Sequence, residues 1–211
     1  GILSLPPTPI TTRPLRVGVF MRAVVLDGSW QGDQTSRTAR EVLEEHLKEN
    51  GWKVRSLLLR DMDIRPCDGC LRCWTEHPGL CSGTDQGRMI PGLYITSDLA
   101  VFLSPVTFGS YSSQLKKALD RMIPNVLPFF ERINGEVHHR KRYEVYPKLV
   151  AIGVLPKPVQ SGEMVFRALV DRNAINFYAP AHATGFMYGT EDSDTIRLGV
   201  RTILSRVGVM A

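Results

Sequence analysis

The chain has 211 residues, of which 43% are hydrophobic and 22% charged, and its formal net charge is +5. This composition indicates one globular domain with a buried core. The charge is compatible with anionic ligands such as phosphates, but it is too small to indicate a nucleic-acid partner without a basic stripe. No apolar run approaches the roughly 20 residues of a membrane helix. The first residues have no pattern of a secretory signal, so we expect a cytoplasmic protein with reduced cysteines.

The chain begins with a segment of different composition. Residues 1–14 are rich in proline and threonine, which predicts an extended N-terminal arm ahead of a domain at residues 15–211. Residues 16–25 are then a nearly continuous apolar run, which is typical of a strand buried on both faces.

The first helix is predicted from Thr38 to Asn50. Thr38 and Glu41 have the spacing of a capping box, and Gly51 is a suitable residue to end the helix. The remaining elements are strands at 52–60, 97–105, 147–155 and 181–189, with helices at 112–122, 161–178 and 194–208.

Strands that alternate with helices predict an α/β fold, with a five-stranded parallel sheet covered by helices on both faces. Ligands of such sheets bind beyond the carboxyl ends of the strands, near the point where the strand order reverses. The loops after the first and third strands are therefore the candidate ligand sites.

The loop after the first strand carries several hydroxyl groups where a helix begins. Thr35, Ser36 and Thr38 surround Arg37 in this loop. Free N–H groups and the helix dipole favour an anion there, and these side chains are suitable phosphate ligands. Ordinary N-capping explains the same residues equally well. The loop lacks the glycine spacing of dinucleotide and nucleoside-triphosphate sites, which favours a mononucleotide.

The loop after the third strand has the composition of a site for a flat ligand. Pro105 keeps Ser104 extended, and Gly109 allows the backbone to approach a ligand closely. Phe108 or Tyr111 would then pack on or beside a ring. An ordinary strand-to-helix turn with a buried phenylalanine is the alternative.

These loops carry a resemblance to a known family. "SPVTFG" at 104–109, Leu115-Lys116 with Asp120-Arg121, and the first loop resemble the flavodoxin-like NAD(P)H-dependent FMN reductases, and among them the iron–sulfur flavoprotein type. The resemblance covers about residues 15–125. It implies a flavodoxin-like three-layer sandwich that binds FMN noncovalently and uses NAD(P)H as co-substrate.

The resemblance also implies which residues bind the flavin. The FMN phosphate would be held by Ser29, Ser36, Arg37 and Thr38. The isoalloxazine ring would lie against Pro105, Val106, Thr107, Phe108, Gly109, Ser110 and Tyr111. Thr107 stands where the family usually has tyrosine, and the loop at 153–163 has two prolines where relatives often have glycine.

All four cysteines lie in "PCDGCLRCWTEHPGLC" at 66–81, with the spacing C-x2-C-x2-C-x7-C. The spacing brings three thiolates within reach of one cluster, and the fourth closes the set. By resemblance, Cys67, Cys70, Cys73 and Cys81 would hold a [4Fe–4S] cluster beside the FMN. A zinc site, a thiol–disulfide switch at Cys67 and Cys70, and free thiols are the alternatives.

A basic stretch at 135–144 contains His138 and His139, and we expect a solvated loop there rather than a metal site. Its Arg140, Lys141 and Arg142 would attract the phosphate of NADPH, or face water or a neighbouring subunit.

The resemblance predicts an oxidoreductase that takes electrons from NAD(P)H or a low-potential carrier and passes them to a small acceptor such as a quinone or free flavin. No protein acid or base is needed, so no catalytic side chain is assigned. The alternatives are an iron–sulfur electron carrier with a ferredoxin-like partner, and a flavin-binding interaction module with little turnover. We also expect a homodimer or homotetramer.

Overall fold

The computed structural model of the chain describes residues 20–209. The predicted arm at 1–14 and the first four residues of the predicted first strand lie outside this range. In the described part, no helix is both long and apolar enough to cross a membrane.

The described residues form an α/β fold with seven strands and six α-helices. The strands are β1 (Arg22–Asp27), β2 (Lys53–Leu58), β3 (Leu99–Pro105), β4 (Val126–Ile133), β5 (Glu136–Lys141), β6 (Lys148–Leu155) and β7 (His182–Tyr188). The helices are α1 (Gln34–Glu49), α2 (Arg72–Thr75), α3 (Ile90–Thr96), α4 (Ser113–Asp120), α5 (Gln160–Asn176) and α6 (Ser193–Arg206). Short 3-10 helices lie at Leu59–Asp61, Gln86–Met89 and Ile123–Asn125.

Five strands form one parallel sheet in the order β2-β1-β3-β6-β7. The central strand β3 is buried along its whole length, as its continuous apolar sequence predicts. Helices α1 and α6 cover one face of the sheet, and α3, α4 and α5 cover the other. The predicted flavodoxin-like sandwich is confirmed.

The first strand and the first helix differ from their predicted bounds. Strand β1 begins at Arg22, and the exposed Phe20 and Met21 precede it. Helix α1 begins at Gln34, four residues before the predicted start, because the carboxylate of Asp33 accepts a hydrogen bond from the Ser36 amide at 3.0 Å. The predicted capping box at residue 38 is therefore wrong.

The basic stretch at 135–144 is not a solvated loop. Strands β4 and β5 form an antiparallel hairpin whose turn is Asn134-Gly135, with positive φ angles of 51° and 86°. An Asn-Gly pair favours this type of turn, so the sequence contained a signal for the hairpin that the loop prediction ignored. Arg142, which was expected to face solvent or a ligand, is only 2% exposed.

Helix α3 was also absent from the predicted elements. It contains Pro91 and Gly92, two residues that usually interrupt helices, but Pro91 lies in the first turn, where no backbone hydrogen bond is lost.

Candidate functional site

The reversal of strand order places the candidate flavin site between β1 and β3. The chain moves from β1 to β2 on one side and returns to β3 on the other, so the loops after β1 and β3 border a crevice. The amide of Gly28 donates to the Leu103 carbonyl at 2.8 Å. The Ser112 hydroxyl donates to the Gly28 carbonyl at 2.6 Å, which ties the two loops together.

A network of buried polar groups fixes the first loop. The amide of Ser29 donates to Asp27 Oδ1 at 2.8 Å, and its hydroxyl accepts a bond from Arg60 at 2.8 Å. Arg40 Nε lies 3.1 Å from Asp27 Oδ2 as an ion pair, without the angle of a hydrogen bond. Ser29 is 1% exposed, so its side chain lies under the loop and stabilises it through the bond with Arg60.

The residues predicted to bind phosphate differ in their access to solvent. Ser36 is fully buried, and its hydroxyl donates to the Asp33 carboxylate at 2.7 Å. Arg37 is exposed and Thr38 is partly exposed at the start of α1, so these two are the accessible groups. The same loop exposes half of Trp30, an aromatic residue that was not among the predicted flavin ligands.

The second loop forms a tight turn over Thr107–Ser110. The amide of Thr107 donates to the Ser110 carbonyl at 2.9 Å, and the reverse bond measures 2.8 Å. Phe108 and Gly109 occupy the centre of the turn with positive φ angles of 50° and 76°. The phenyl ring of Phe108 is fully exposed at the carboxyl edge of the sheet.

Two details of this turn fit a bound flavin. Thr107 Oγ1 is buried and has no hydrogen-bond partner among residues 20–209, which is costly for a polar atom unless a ligand supplies one. A Cβ atom at Gly109 would lie 2.7 Å from the Val165 side chain, so only glycine fits between the turn and α5. Pro105 and Val106 continue the backbone of β3 into the turn, and Val106 donates to the Val154 carbonyl at 2.9 Å.

Tyr111 has a different position from the rest of the predicted flavin residues. It is 5% exposed and packs edge-on against Phe102 and Phe166. Its hydroxyl accepts a hydrogen bond from Asn173 at 3.0 Å, and burial raises its pKa to about 12. The side chain is part of the core.

A large cavity of about 790 Å³ lies beside this loop, and it is within the usual size range of ligand sites. It is bordered by the cysteine segment, α4, α5 and the base of the hairpin. Of the residues predicted to bind flavin, only Ser110 and Tyr111 line it. The cavity is therefore next to the crevice between β1 and β3, rather than the same space.

All four cysteines line this cavity. Cys67 and Cys70 are exposed, Cys81 is partly buried, and Cys73 is buried in α2. Burial, and then the neighbouring Cys81, Cys67 and Cys70, raises the pKa of Cys73 to about 11. Within residues 20–209, no three His, Cys, Asp or Glu side chains are close enough together to hold a metal ion.

The cysteine segment is anchored to the hairpin through Trp74. Its indole Nε1 donates to the Val126 carbonyl at 2.9 Å and to the Ile123 carbonyl at 3.2 Å. The indole ring lies 5.1 Å from the ring of His139, which lines the cavity. This contact gives His139 a packing role that the sequence did not indicate.

Two buried arginines border the cysteine segment. Arg121 donates to Cys81 Sγ at 3.2 Å and forms an ion pair with Asp85 at 2.7 Å. Arg142 donates to the Pro124 carbonyl at 2.8 Å and to the Val126 carbonyl at 3.5 Å. Burial lowers the pKa of Arg142, while the neighbouring Tyr143, Tyr146 and Cys73 oppose that shift.

The four thiols line one cavity and do not converge on a single metal ion, and two buried guanidinium groups border the same segment. In a [4Fe–4S] cluster each thiolate binds a different iron, so convergence on one ion is not required. The donor set is the one that a [4Fe–4S] cluster uses. The cysteines were identifiable from their spacing, but these arginines were not, because only the folded chain brings residues 121 and 142 to residues 73–81.

Comparison with known proteins confirms the predicted family. The model of the family described as NADPH-dependent FMN reductase matches residues 21–153. The chain belongs to this family of flavin-dependent oxidoreductases.

Among curated proteins, an iron–sulfur flavoprotein of Methanocaldococcus jannaschii is 32% identical over 105 residues, which cover 49% of this chain and 53% of the relative. An iron–sulfur flavoprotein of Archaeoglobus fulgidus is 27% identical over 104 residues, which cover 49% of this chain and 46% of that relative. The chain thus spans about half the length of the curated relatives that it matches.

Solved structures share the fold at low sequence identity. An FMN-dependent NADH-azoreductase from Bacillus anthracis has a TM-score of 0.63 at 12% identity, over 90% of this chain and 98% of that one. An NAD(P)H:quinone oxidoreductase from Methanothermobacter marburgensis also has a TM-score of 0.63, at 14% identity over 89% of this chain and 98% of that one.

Proposed function

We propose that the protein binds FMN in the crevice between β1 and β3 and uses it to pass electrons from NAD(P)H to a small acceptor. The acceptor class would be a quinone or an azo compound, in line with the names of two structural neighbours, or free flavin, as the family resemblance implies. Bound FMN supplies the redox chemistry, accepting a hydride from NAD(P)H and transferring two electrons onward.

The observation that carries this proposal is the turn at Thr107–Ser110. It exposes the ring of Phe108 fully and buries a hydroxyl oxygen of Thr107 that has no partner in the described part of the chain, both at the switch point of the sheet. A flat ring with a polar edge would cover the phenyl ring of Phe108 and form a hydrogen bond with Thr107 Oγ1. The other predicted flavin residues, Pro105, Val106 and Gly109, supply backbone at the same place.

The protein's own residues would position the cofactor. Arg37 and Thr38 are the accessible groups for the phosphate at the start of α1, where the helix dipole also favours an anion. Ser29 and Ser36 hold the loop in shape from within. Trp30 and Phe108 stand exposed on the two loops and are candidates to pack against the ring.

The test is an FMN titration followed by a turnover assay. The purified protein should quench FMN fluorescence at one site per chain. Without oxygen, the loaded and desalted protein should turn over NADPH only when an acceptor such as menadione is added. Riboflavin, which lacks the phosphate, is the matched ligand control and should bind more weakly. Stoichiometric FMN binding without turnover would instead favour a flavin-binding interaction module.

The cysteine segment favours a second candidate function, an iron–sulfur flavoprotein that carries single electrons. Cys67, Cys70, Cys73 and Cys81 line one cavity, and that cavity shares Ser110 and Tyr111 with the flavin loop. A cluster held there would lie beside the flavin. An acidic, ferredoxin-like electron carrier is then a suitable partner for a chain with net charge +5.

Iron and sulfide analysis after anaerobic purification tests this candidate. About four irons and four sulfides per chain support a cluster, and one zinc without sulfide supports a structural metal site. Neither result alters the FMN proposal, because the flavin residues belong to different loops.

We further propose a homo-oligomer, as the family resemblance predicts. Val159, Met164 and Val165 are exposed apolar side chains at the start of α5, and the last of them contacts the flavin turn. Sedimentation of the FMN-loaded protein tests this, and a monomer at micromolar concentration would contradict it.

A further inference from the structure

We propose that Arg121 positions Cys81 for cluster binding and stabilises the negative charge on its sulfur. This inference rests on the second candidate function, in which the four cysteines hold a [4Fe–4S] cluster. Arg121 is a positioning residue in this account, because it acts through the cysteine and not on a substrate.

The contacts of Arg121 link the last cysteine to residues on both sides of the cysteine segment. One terminal nitrogen, Nη2, donates to Cys81 Sγ at 3.2 Å. The other, Nη1, donates to the Arg65 carbonyl at 2.9 Å and to Asp85 Oδ2 at 2.7 Å. The guanidinium therefore joins the residues before the first cysteine to those after the last one.

The guanidinium is almost completely enclosed, with a side-chain exposure of 4%. Asp85, its only carboxylate partner among the described residues, balances a single charge. Nη2 is directed at sulfur, which is a weak acceptor as a neutral thiol and a strong one as a thiolate. The arrangement is thus suited to a Cys81 sulfur that serves as a cluster ligand.

The space for this contact depends on a glycine. A Cβ atom at Gly83 would lie 2.1 Å from Arg121 Nη2 and 3.1 Å from Arg121 Cζ. The amide of Gly83 also donates to Cys81 Sγ, at 3.4 Å. An alanine here would push the end of a flexible side chain away from the sulfur without removing any charge.

Hydrogen bonds to the sulfurs and the net charge around them set the reduction potential of an iron–sulfur cluster. Reduction adds one negative charge, and the hydrogen bond that Arg121 donates to Cys81 Sγ becomes stronger as that charge increases. Arg121 should therefore raise the midpoint potential and slow the loss of iron. The partners of metal ligands typically change metal affinity by roughly 10- to 100-fold when they are removed.

Arg121 also connects the flavin loop to the cysteines along one helix. Helix α4 begins after Ser112, which bonds the flavin-site Gly28, and Arg121 caps its other end. The eight residues of α4 thus place the two proposed redox sites in a fixed relation.

The experiment compares the wild-type protein with three variants, all reconstituted anaerobically with ferrous iron and sulfide. Arg121→Gln removes the charge, and Gly83→Ala displaces the guanidinium while keeping it. Lys117→Gln makes the same charge change on α4 at a residue that does not line the cavity. Bound FMN and the thermal unfolding midpoint report whether each variant folds.

Two readouts are independent of turnover: the rate of iron loss to a chelator, and the cluster midpoint potential from an EPR-monitored redox titration. We expect Arg121→Gln and Gly83→Ala to lose iron roughly 10- to 100-fold faster than wild type and to have a more negative potential. Lys117→Gln should behave as wild type. If Arg121→Gln does not fold, the iron loss and midpoint potential of Gly83→Ala test the role of Arg121.

The failures can be told apart. Wild-type protein that retains no iron would overturn this inference together with the cluster itself. Wild-type protein that retains four irons, with variants that lose iron at the same rate and have the same potential, would overturn the role of Arg121 alone. Faster iron loss with an unchanged potential would overturn the charge-stabilising part.

Discussion

The hydroxyl of Ser112 donates a hydrogen bond to the carbonyl oxygen of Gly28 across 2.6 Å, although 84 residues separate them in sequence. A Cβ atom on Gly28 would lie 2.6 Å from this hydroxyl oxygen, so the contact requires glycine. The bond closes the crevice at the point where the two proposed flavin loops meet. The geometry of the site therefore depends on it.

We expect Ser112→Ala to destabilise the protein by about 1–2 kcal/mol, because the residue also caps α4 by accepting from the Leu115 amide at 3.3 Å. FMN affinity should fall as the two loops separate. Urea unfolding and FMN titration measure the two effects. The exposed neighbour is the control, since Ser113→Ala should change stability by less than about 0.5 kcal/mol. Equal effects of the two variants would contradict the role of the Gly28 contact.

Phe108→Ala should weaken FMN binding by roughly two- to tenfold, in keeping with one lost aromatic contact. Because the ring is fully exposed without ligand, the free energy of unfolding of the apo protein should stay within about 0.5 kcal/mol of wild type. FMN titration checks the first expectation and urea unfolding the second. Leu198→Ala, at an exposed apolar residue of α6, is the matched control. Unchanged FMN affinity in Phe108→Ala would remove this residue from the site.

Gly109→Ala should destabilise the flavin turn for two reasons, the positive φ angle of 76° and the clash with Val165. The backbone conformation alone costs about 1–2 kcal/mol for a residue with a Cβ atom. Gly135→Ala isolates this term, because Gly135 in the hairpin turn also has a positive φ, 86°, and a Cβ atom there would have no neighbour within 4 Å. We expect Gly109→Ala to be the more destabilising variant in urea unfolding.

A second comparison tests the source of that difference. The double variant with Val165→Ala should recover only the part of the loss that comes from Val165 Cγ1, because Val165 Cβ lies equally close, at 2.7 Å, and remains in alanine. If Gly109→Ala and Gly135→Ala lose equal stability, the contact between the turn and α5 has no energetic weight.

Asp85→Asn should destabilise the protein by about 3 kcal/mol at pH 7, because it leaves the buried guanidinium of Arg121 without its counter-charge. The hydrogen bond from Arg121 holds the pKa of Asp85 below its ordinary value of 3.8. This contribution is therefore complete above pH 3.8 and is lost as the pH falls through the lowered pKa.

Urea unfolding at a series of pH values measures this effect, and the difference between wild type and Asp85→Asn should shrink only at the acidic end. Asp120→Asn is the control, since Asp120 forms an exposed ion pair with Lys116 that is worth about 0–1 kcal/mol. A difference that declines between pH 7 and pH 5 would contradict the lowered pKa.

The order of the strands and helices was predictable because buried parallel strands appear in a sequence as continuous apolar runs. The run at 97–105 predicted β3 almost residue for residue. The hairpin was missed because its strands have only a weak alternating pattern, with Phe130 and Val137 exposed on it. Its Asn134-Gly135 turn was the available signal.

The sequence indicated two loops as the candidate site, and the structure brings these two loops together, but it buries some of the side chains that were predicted to bind ligand. The sequence indicated Ser36 as a phosphate ligand because hydroxyls are frequent in such sites, yet this hydroxyl is buried against Asp33. Tyr111 likewise belongs to the core. Arg121 and Arg142 reach the cysteines only through tertiary packing, which no local pattern encodes. The residues predicted to bind FMN and the cluster remain predictions.

The most direct test of the central claim is the flavin content of the anaerobically purified protein, read from its absorbance spectrum before and after saturation with FMN and desalting. We predict the absorbance bands of bound flavin at about one FMN per chain, with a smaller amount retained by Phe108→Ala. A protein that retains no flavin after saturation would contradict the account.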